Sequence, residues 1–139
     1  MKVCTGHVHT LALTDDGEVY AWGNNKTGCI GCEERGTCQP QLVEGLKGKK
    51  VIDISAGMES SAALTAAHEV YTWYILSISS LMIRGADNYG QLGQGQGPRY
   101  VNKPTKIRTF KNVPIVKIAC GQYHMLAVSG MFIELNNHI

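Results

Sequence analysis

Apolar residues in this chain come in short bursts of up to four, separated by turns rich in glycine, asparagine or aspartate, and no amphipathic helix of normal length shows in their spacing. Thr10 to Thr14 and Glu18 to Trp22 read as two short strands. Asp15-Asp16-Gly17 joins them, since Asp and Gly tolerate the left-handed backbone of a tight hairpin. A second hairpin follows at Ala62 to Thr65 and Glu69 to Trp73, with Glu18-Val19-Tyr20 recurring as Glu69-Val70-Tyr71 at an offset of 51. After each hairpin come a glycine-rich turn (Gly23 to Gly31, Gly85 to Gly93) and a strand predicted to open at Pro40 or Pro104. Proline suits that position because it cannot donate to a ladder. A last apolar strand, Val51 to Ile54 or Ile115 to Ile118, completes the unit.

Each unit turns on the same tetrad, Gly-x-x-His/Ser: Gly6 to His9, Gly57 to Ser60 and Gly121 to His124. The glycines stand 51 and 64 residues apart, and self-similarity near fifty residues marks stacked β modules such as propeller blades. The repeats are placed at about 1–50, 51–114 and 115–130. Almost all of the excess in the second period is one apolar insertion, Tyr74 to Arg84, between Trp73 and Gly85, which should adjoin as Trp22 and Gly23 do. It is far shorter than the roughly 20 residues of a membrane helix. The tail 131–139 matches nothing in the repeat. Both departures fall at boundaries of intact motifs, the expectation for translated non-coding sequence; a genuine surface hairpin is the alternative.

The order Gly-x-x-His, apolar strand, Gly17-Glu18-Val19-Tyr20-Ala21-Trp22-Gly23 and then Gly90-Gln91-Leu92-Gly93 resembles the repeat of the regulator of chromosome condensation (RCC1) family. That resemblance implies an all-β fold, a partial RCC1-type β-propeller of about two four-stranded blades plus one strand. With the family's phase, in which sequence repeat and blade are offset, the blades fall at about 18–65 and 69–129, leaving one strand near 10–14. Two blades cannot close a ring. The expectation is a fragment with exposed apolar flanks and poor autonomous stability. The resemblance further implies a non-catalytic protein-interaction scaffold, as in rings attached to ubiquitin ligases or kinases. The alternative is part of a guanine-nucleotide exchange factor for a Ran-type small GTPase with chromatin association.

Charge and cysteine content narrow the setting more than the partner. A formal charge of +2 names no ligand class. Five cysteines are an odd number for a disulfide framework, and Met1 to Thr14 lacks a signal-peptide core, so a cytoplasmic or nuclear compartment is expected, with no membrane partner. Asn25-Lys26-Thr27 is then a chance sequon.

No residue set here carries a catalytic expectation, and no cofactor or metal is expected. Cys29, Cys32 and Cys38 have knuckle-like spacing but lack a local fourth ligand, which favours free thiols over zinc. His9 and His124 have the chemistry of a general base. Their identical placement in successive modules, with Ser60 in the same slot, points instead to hydrogen bonds within the scaffold. Gly90 to Gly97 lacks the Lys-Ser or Lys-Thr and the helix of a phosphate loop, and Trp22 and Trp73 read as packing aromatics. From Asn88 to Ile133 there is no acidic residue, while Arg99, Lys103, Lys106, Arg108, Lys111 and Lys117 accumulate. Lys106 and Arg108 would share one strand face. Arg99, Lys103, Lys106, Arg108 and Lys111 are therefore the candidate contacts for an acidic partner, either a protein surface or chromatin; a solvated strand edge is the competing reading.

Overall fold

The computed structural model describes residues 1–24, 30–31, 36–74, 101–122 and 124–130. Among the described residues ten strands run in chain order: β1 Lys2–Thr5, β2 His9–Leu13, β3 Val19–Asn24, β4 Gly36–Leu42, β5 Val51–Ala56, β6 Ser60–Thr65, β7 Val70–Tyr74, β8 Val101–Lys106, β9 Ile115–Cys120 and β10 Met125–Ser129. They form two four-stranded antiparallel sheets, β1-β2-β3-β4 and β5-β6-β7-β8, and a pair, β9-β10. Short 3-10 turns at Glu44–Leu46 and Arg108–Phe110 lead from one sheet to the next.

Two four-stranded sheets agree with the sequence expectation, but their boundaries do not. The strand before each repeat glycine does not belong with the preceding hairpin. It folds back through the four-residue Gly-x-x-His/Ser turn and pairs with the strand that follows, Val3 opposite Ala12, Ile54 opposite Ala63 and Ile118 opposite Ala127. Closing so short a loop costs little entropy, so the glycine turn makes its own hairpin and opens a sheet. The sheets therefore span Lys2–Leu42 and Val51–Lys106, not 18–65 and 69–129. The strand near 10–14 is not left over: β2 pairs with both β1 and β3. Among the described residues, what remains after two sheets is the pair β9-β10.

The prolines also move. Pro40 and Pro104 lie inside β4 and β8, where the ladders to β3 and β7 shift register, not at the strand starts. A bulge on an outer strand excuses a residue from donating, the same physics in another place. Tyr74 ends β7 opposite Ser60, as Gly23 lies opposite His9. The rest of the insertion, and the tail 131–139, lie outside the described residues.

Burial records how the sheets stack. β2 alternates, with His9, Leu11 and Leu13 buried, whereas all six residues of β6 are buried, because the middle sheet is covered on both faces. β1 runs beside β5 and β5 beside β9, while β2 packs against β5 and β6 against β9. Leu11, Leu13 and Val19 meet Ile54, Ala63 and Trp73 in one apolar cluster; Ala62, Leu64 and Val70 meet Ile107, Ile115 and Ile118 in the next. Trp73 is fully buried and Trp22 only partly so.

Candidate functional site

The repeated tetrad builds the joint between sheets. In each copy the glycine N–H donates to the carbonyl of the third residue on, Gly6 to His9 at 2.8 Å, Gly57 to Ser60 at 2.8 Å and Gly121 to His124 at 2.7 Å. Glycine is required by close approach: a Cβ on Gly57 would lie 2.5 Å from the Gly121 carbonyl oxygen and 2.6 Å from Ser60 Oγ. A Cβ on Gly6 would collide likewise with the Gly57 carbonyl and the His9 ring. Each turn is thus closed by its own His or Ser, and the first two each abut the next turn.

His9 spans the first joint. The residue is 4% exposed, and Nε2 lies 2.8 Å from Ser61 Oγ on the next sheet. Nδ1 is buried without a hydrogen-bond partner. The tautomer that orphans no N–H carries its proton on Nε2 and donates to Ser61. Burial pulls the imidazole down to a pKa of about 4, so the ring is neutral at physiological pH. His124, at the same slot in the third repeat, is exposed. The two histidines do not converge on a common site.

Further polar links run along the joints. The Lys2 ammonium pairs with Asp53 and donates to the Ile54 carbonyl at 2.8 Å. The Cys120 N–H donates to Ser55 Oγ at 2.8 Å. His68 occupies a left-handed turn position at φ 61°, where the first repeat has Gly17 at φ 87°, and its Nδ1–H donates to the Ile115 carbonyl at 2.9 Å. Sequence reasoning passed over His68. The signal was there, a bulky residue where the equivalent hairpin has glycine.

The basic segment is not one face. Lys106 ends β8, Ile107 is buried, and Arg108 opens the 3-10 turn, so the expected strand alternation of Lys106 and Arg108 is wrong. Chain direction changes at the buried residue between them. Lys106 pairs with Glu69 from outside the acid-free run. That contact and the Tyr71 hydroxyl hold the Glu69 carboxyl below its usual range and raise the lysine's pKa. Lys103, Arg108 and Lys111 are exposed. Arg99 lies outside the described residues.

Of the knuckle cysteines, Cys38 is an exposed free thiol on β4, and Cys29 and Cys32 lie outside the described residues, as does Gly90 to Gly97. Among the described residues no three metal-ligating side chains come together. Cys4 and Cys120 are free thiols pushed up to about 11, chiefly by burial. Two clefts of about 470 and 560 Å³ occur at the same place in successive repeats, between the β2–β3 or β6–β7 turn and the connection to the next sheet. They mark a notch that comes with each module. No helix among the described residues is long and apolar enough to cross a membrane.

Antiparallel sheets of one plan, stacked face to face through a recurring glycine turn, define a stretch of β-propeller. The chain belongs to the RCC1 family: models described as regulator of chromosome condensation (RCC1) repeat match residues 16–64 and 84–128, and residues 2–29. It is 37% identical over 122 residues to the E3 ubiquitin-protein ligase HERC2 of Homo sapiens, a match covering 87% of this chain and 2% of that protein. It is 33% identical over 128 residues to the probable E3 ubiquitin-protein ligase HERC4 of Homo sapiens, covering 91% of this chain and 11% of that one. Among solved structures, human WBSCR16 superposes with a TM-score of 0.75 at 28% identity, over 94% of this chain and 30% of that chain. Prp20p of Saccharomyces cerevisiae, described with its binding to Gsp1p and histones, superposes at 0.78 with 18% identity, over 96% of this chain and 32% of that one. The latter likeness is one of fold.

Proposed function

We propose that this chain is a non-catalytic scaffold that presents loops to a protein partner in the cytoplasm or nucleus. The observation that carries the reading is the use made of its most chemically capable repeated residue: His9 is neutral, buried and committed to Ser61 across a sheet joint. The relatives support it from another side, because the stretch this chain matches is 2% of the E3 ubiquitin-protein ligase HERC2 and 11% of the probable ligase HERC4, a small part of a larger protein in each. Rigid sheets then serve to position connecting segments, where binding residues concentrate. Arg108 and Lys111, both exposed, are the contacts assigned to an acidic protein surface.

Two titrations test this. Fluorescent Asp/Glu-rich peptides should bind the chain in low salt and lose binding in an Arg108→Glu/Lys111→Glu variant; equal binding by the variant would remove these residues from the surface. A Ran-type GTPase loaded with fluorescent GDP should release it at its spontaneous rate in the presence of the chain. Acceleration would replace the scaffold reading with nucleotide exchange.

A further inference from the structure

The two notches between hairpin turn and sheet connection are built alike and charged differently. Gly17 and His68 hold the same left-handed position of the turn, and Gly48 and Asn112, at φ of 76° and 65°, the same one in the connection. Each connection begins with a 3-10 turn closed by a lysine: the Lys47 N–H donates to the Glu44 carbonyl and the Lys111 N–H to the Arg108 carbonyl, both at 3.1 Å. The first cleft, of about 470 Å³, is lined by three carboxylates, Asp15, Asp16 and Glu18, and three lysines, Lys47, Lys49 and Lys50. It balances its own charge.

The second cleft, of about 560 Å³, does not. Ala66 and Ala67 stand where the first repeat has Asp15 and Asp16, and Arg108 stands where Glu44 pairs with Lys47 at 3.7 Å. Among the described residues Glu69 is the one carboxylate on its lining, and Lys106 already pairs with it. Lys111 lines the cleft, Arg108 lies three residues before it, and both are exposed. Neither pairs with a carboxylate among the described residues. Two cations beside a recess whose facing carboxylates have become alanines favour an anionic group from outside.

The opening at this slot comes with the module. The first cleft persists with the sheet β5-β6-β7-β8 beside it, and the Lys47 side chain there is still 66% exposed. We infer that the second notch takes a short acidic segment of a partner protein, with Lys111 and Arg108 as its cationic contacts, and that Ala67 in the place of Asp16 is what leaves it open to carboxylates. The inference rests on the scaffold reading above and narrows its acidic surface to one recess.

Fluorescence anisotropy with a fluorescein-labelled peptide of alternating aspartate and glycine tests the assignment. Ala67→Asp should weaken binding about two- to fivefold at low salt, a loss that fades as salt rises. The first turn carries aspartate at the equivalent position, so the substitution suits the fold. Thr5→Asp adds the same charge at an exposed site beside Gly6, at the tetrad end of the strands, and should leave binding unchanged. A version of the peptide carrying a photo-crosslinker should label the segments 67–70 and 106–114, read by peptide mass spectrometry. Equal affinities of the Ala67→Asp and Thr5→Asp variants, or cross-links confined to other segments, would overturn the inference; if Arg108→Glu/Lys111→Glu still abolished binding, the acidic-partner reading would stand without it. A wild-type chain that does not bind the peptide would remove both.

Discussion

Lowering the pH should loosen the first sheet joint before it touches the rest of the protein. His9 titrates at about 4 in the folded chain and near 6.5 when unfolded, so between those values the unfolded state binds more protons and stability rises with pH. Its contribution is fully present above about pH 6.5 and is lost as pH falls toward 4. At 1.36 kcal/mol per unit, the loss from pH 7.5 to 4.5 amounts to about 2 to 3 kcal/mol. Protonation would also place a second N–H at Nδ1, which has no acceptor. The carboxylates of Asp15 and Glu69 are also held low, by the N-terminal ammonium and by Lys106 with Tyr71, but their stability disappears only below about pH 4.5. Urea unfolding followed by the fluorescence of Trp73, which is buried at this joint, at pH 7.5, 6.5, 5.5 and 4.5 reads the effect. Wild type should lose stability through this window, while His9→Asn, weaker at pH 7.5, should show a nearly flat profile. Parallel losses in the two proteins would refute the assignment.

Gly57→Ala should cost about 1 to 3 kcal/mol and lower the melting temperature, because its methyl group meets both the Gly121 carbonyl and Ser60 Oγ; unchanged melting would remove the close-approach argument. His68→Ala loses the bond to the Ile115 carbonyl and keeps a non-glycine residue at φ 61°, so it should cost more than His68→Gly, by about 1 kcal/mol in chemical denaturation. Lys106→Met should change stability by less than about 1 kcal/mol, since its ion pair with Glu69 is largely exposed. Timed alkylation at pH 8 with peptide mass spectrometry should modify Cys38 well before Cys4 and Cys120, whose half-buried thiols hold their protons.

The repeat and its strand content were legible because both are local. Glu18-Val19-Tyr20 and Glu69-Val70-Tyr71 alternate about the same turn, and a two-residue period needs no tertiary knowledge. Sheet boundaries were not, because Val51 to Ile54 is equally apolar whether it closes one sheet or opens the next; the glycine turn's hydrogen bond decides it. Misplacing that strand also hid β1, whose sequence Lys2-Val3-Cys4-Thr5 has little apolar signal. The structural use of His9 followed from its repetition, but its acceptor did not, since Ser61 is 52 residues away and on another sheet. The sequence places Lys106 beside Arg108 and Lys111, whereas Glu69, 37 residues earlier and just before β7, is what it meets.

A double-mutant cycle across the first joint tests most directly whether the repeated tetrad ties neighbouring sheets together. Stabilities at pH 7.5 of wild type, His9→Asn, Ser61→Ala and the double variant isolate the energy of the Nε2 contact from the cost of each truncation. A coupling of about 0.5 to 3 kcal/mol is the predicted result for a buried pair in contact. Additive losses would show that His9 does not tie the two sheets together, and would contradict the reading of the histidine as scaffold.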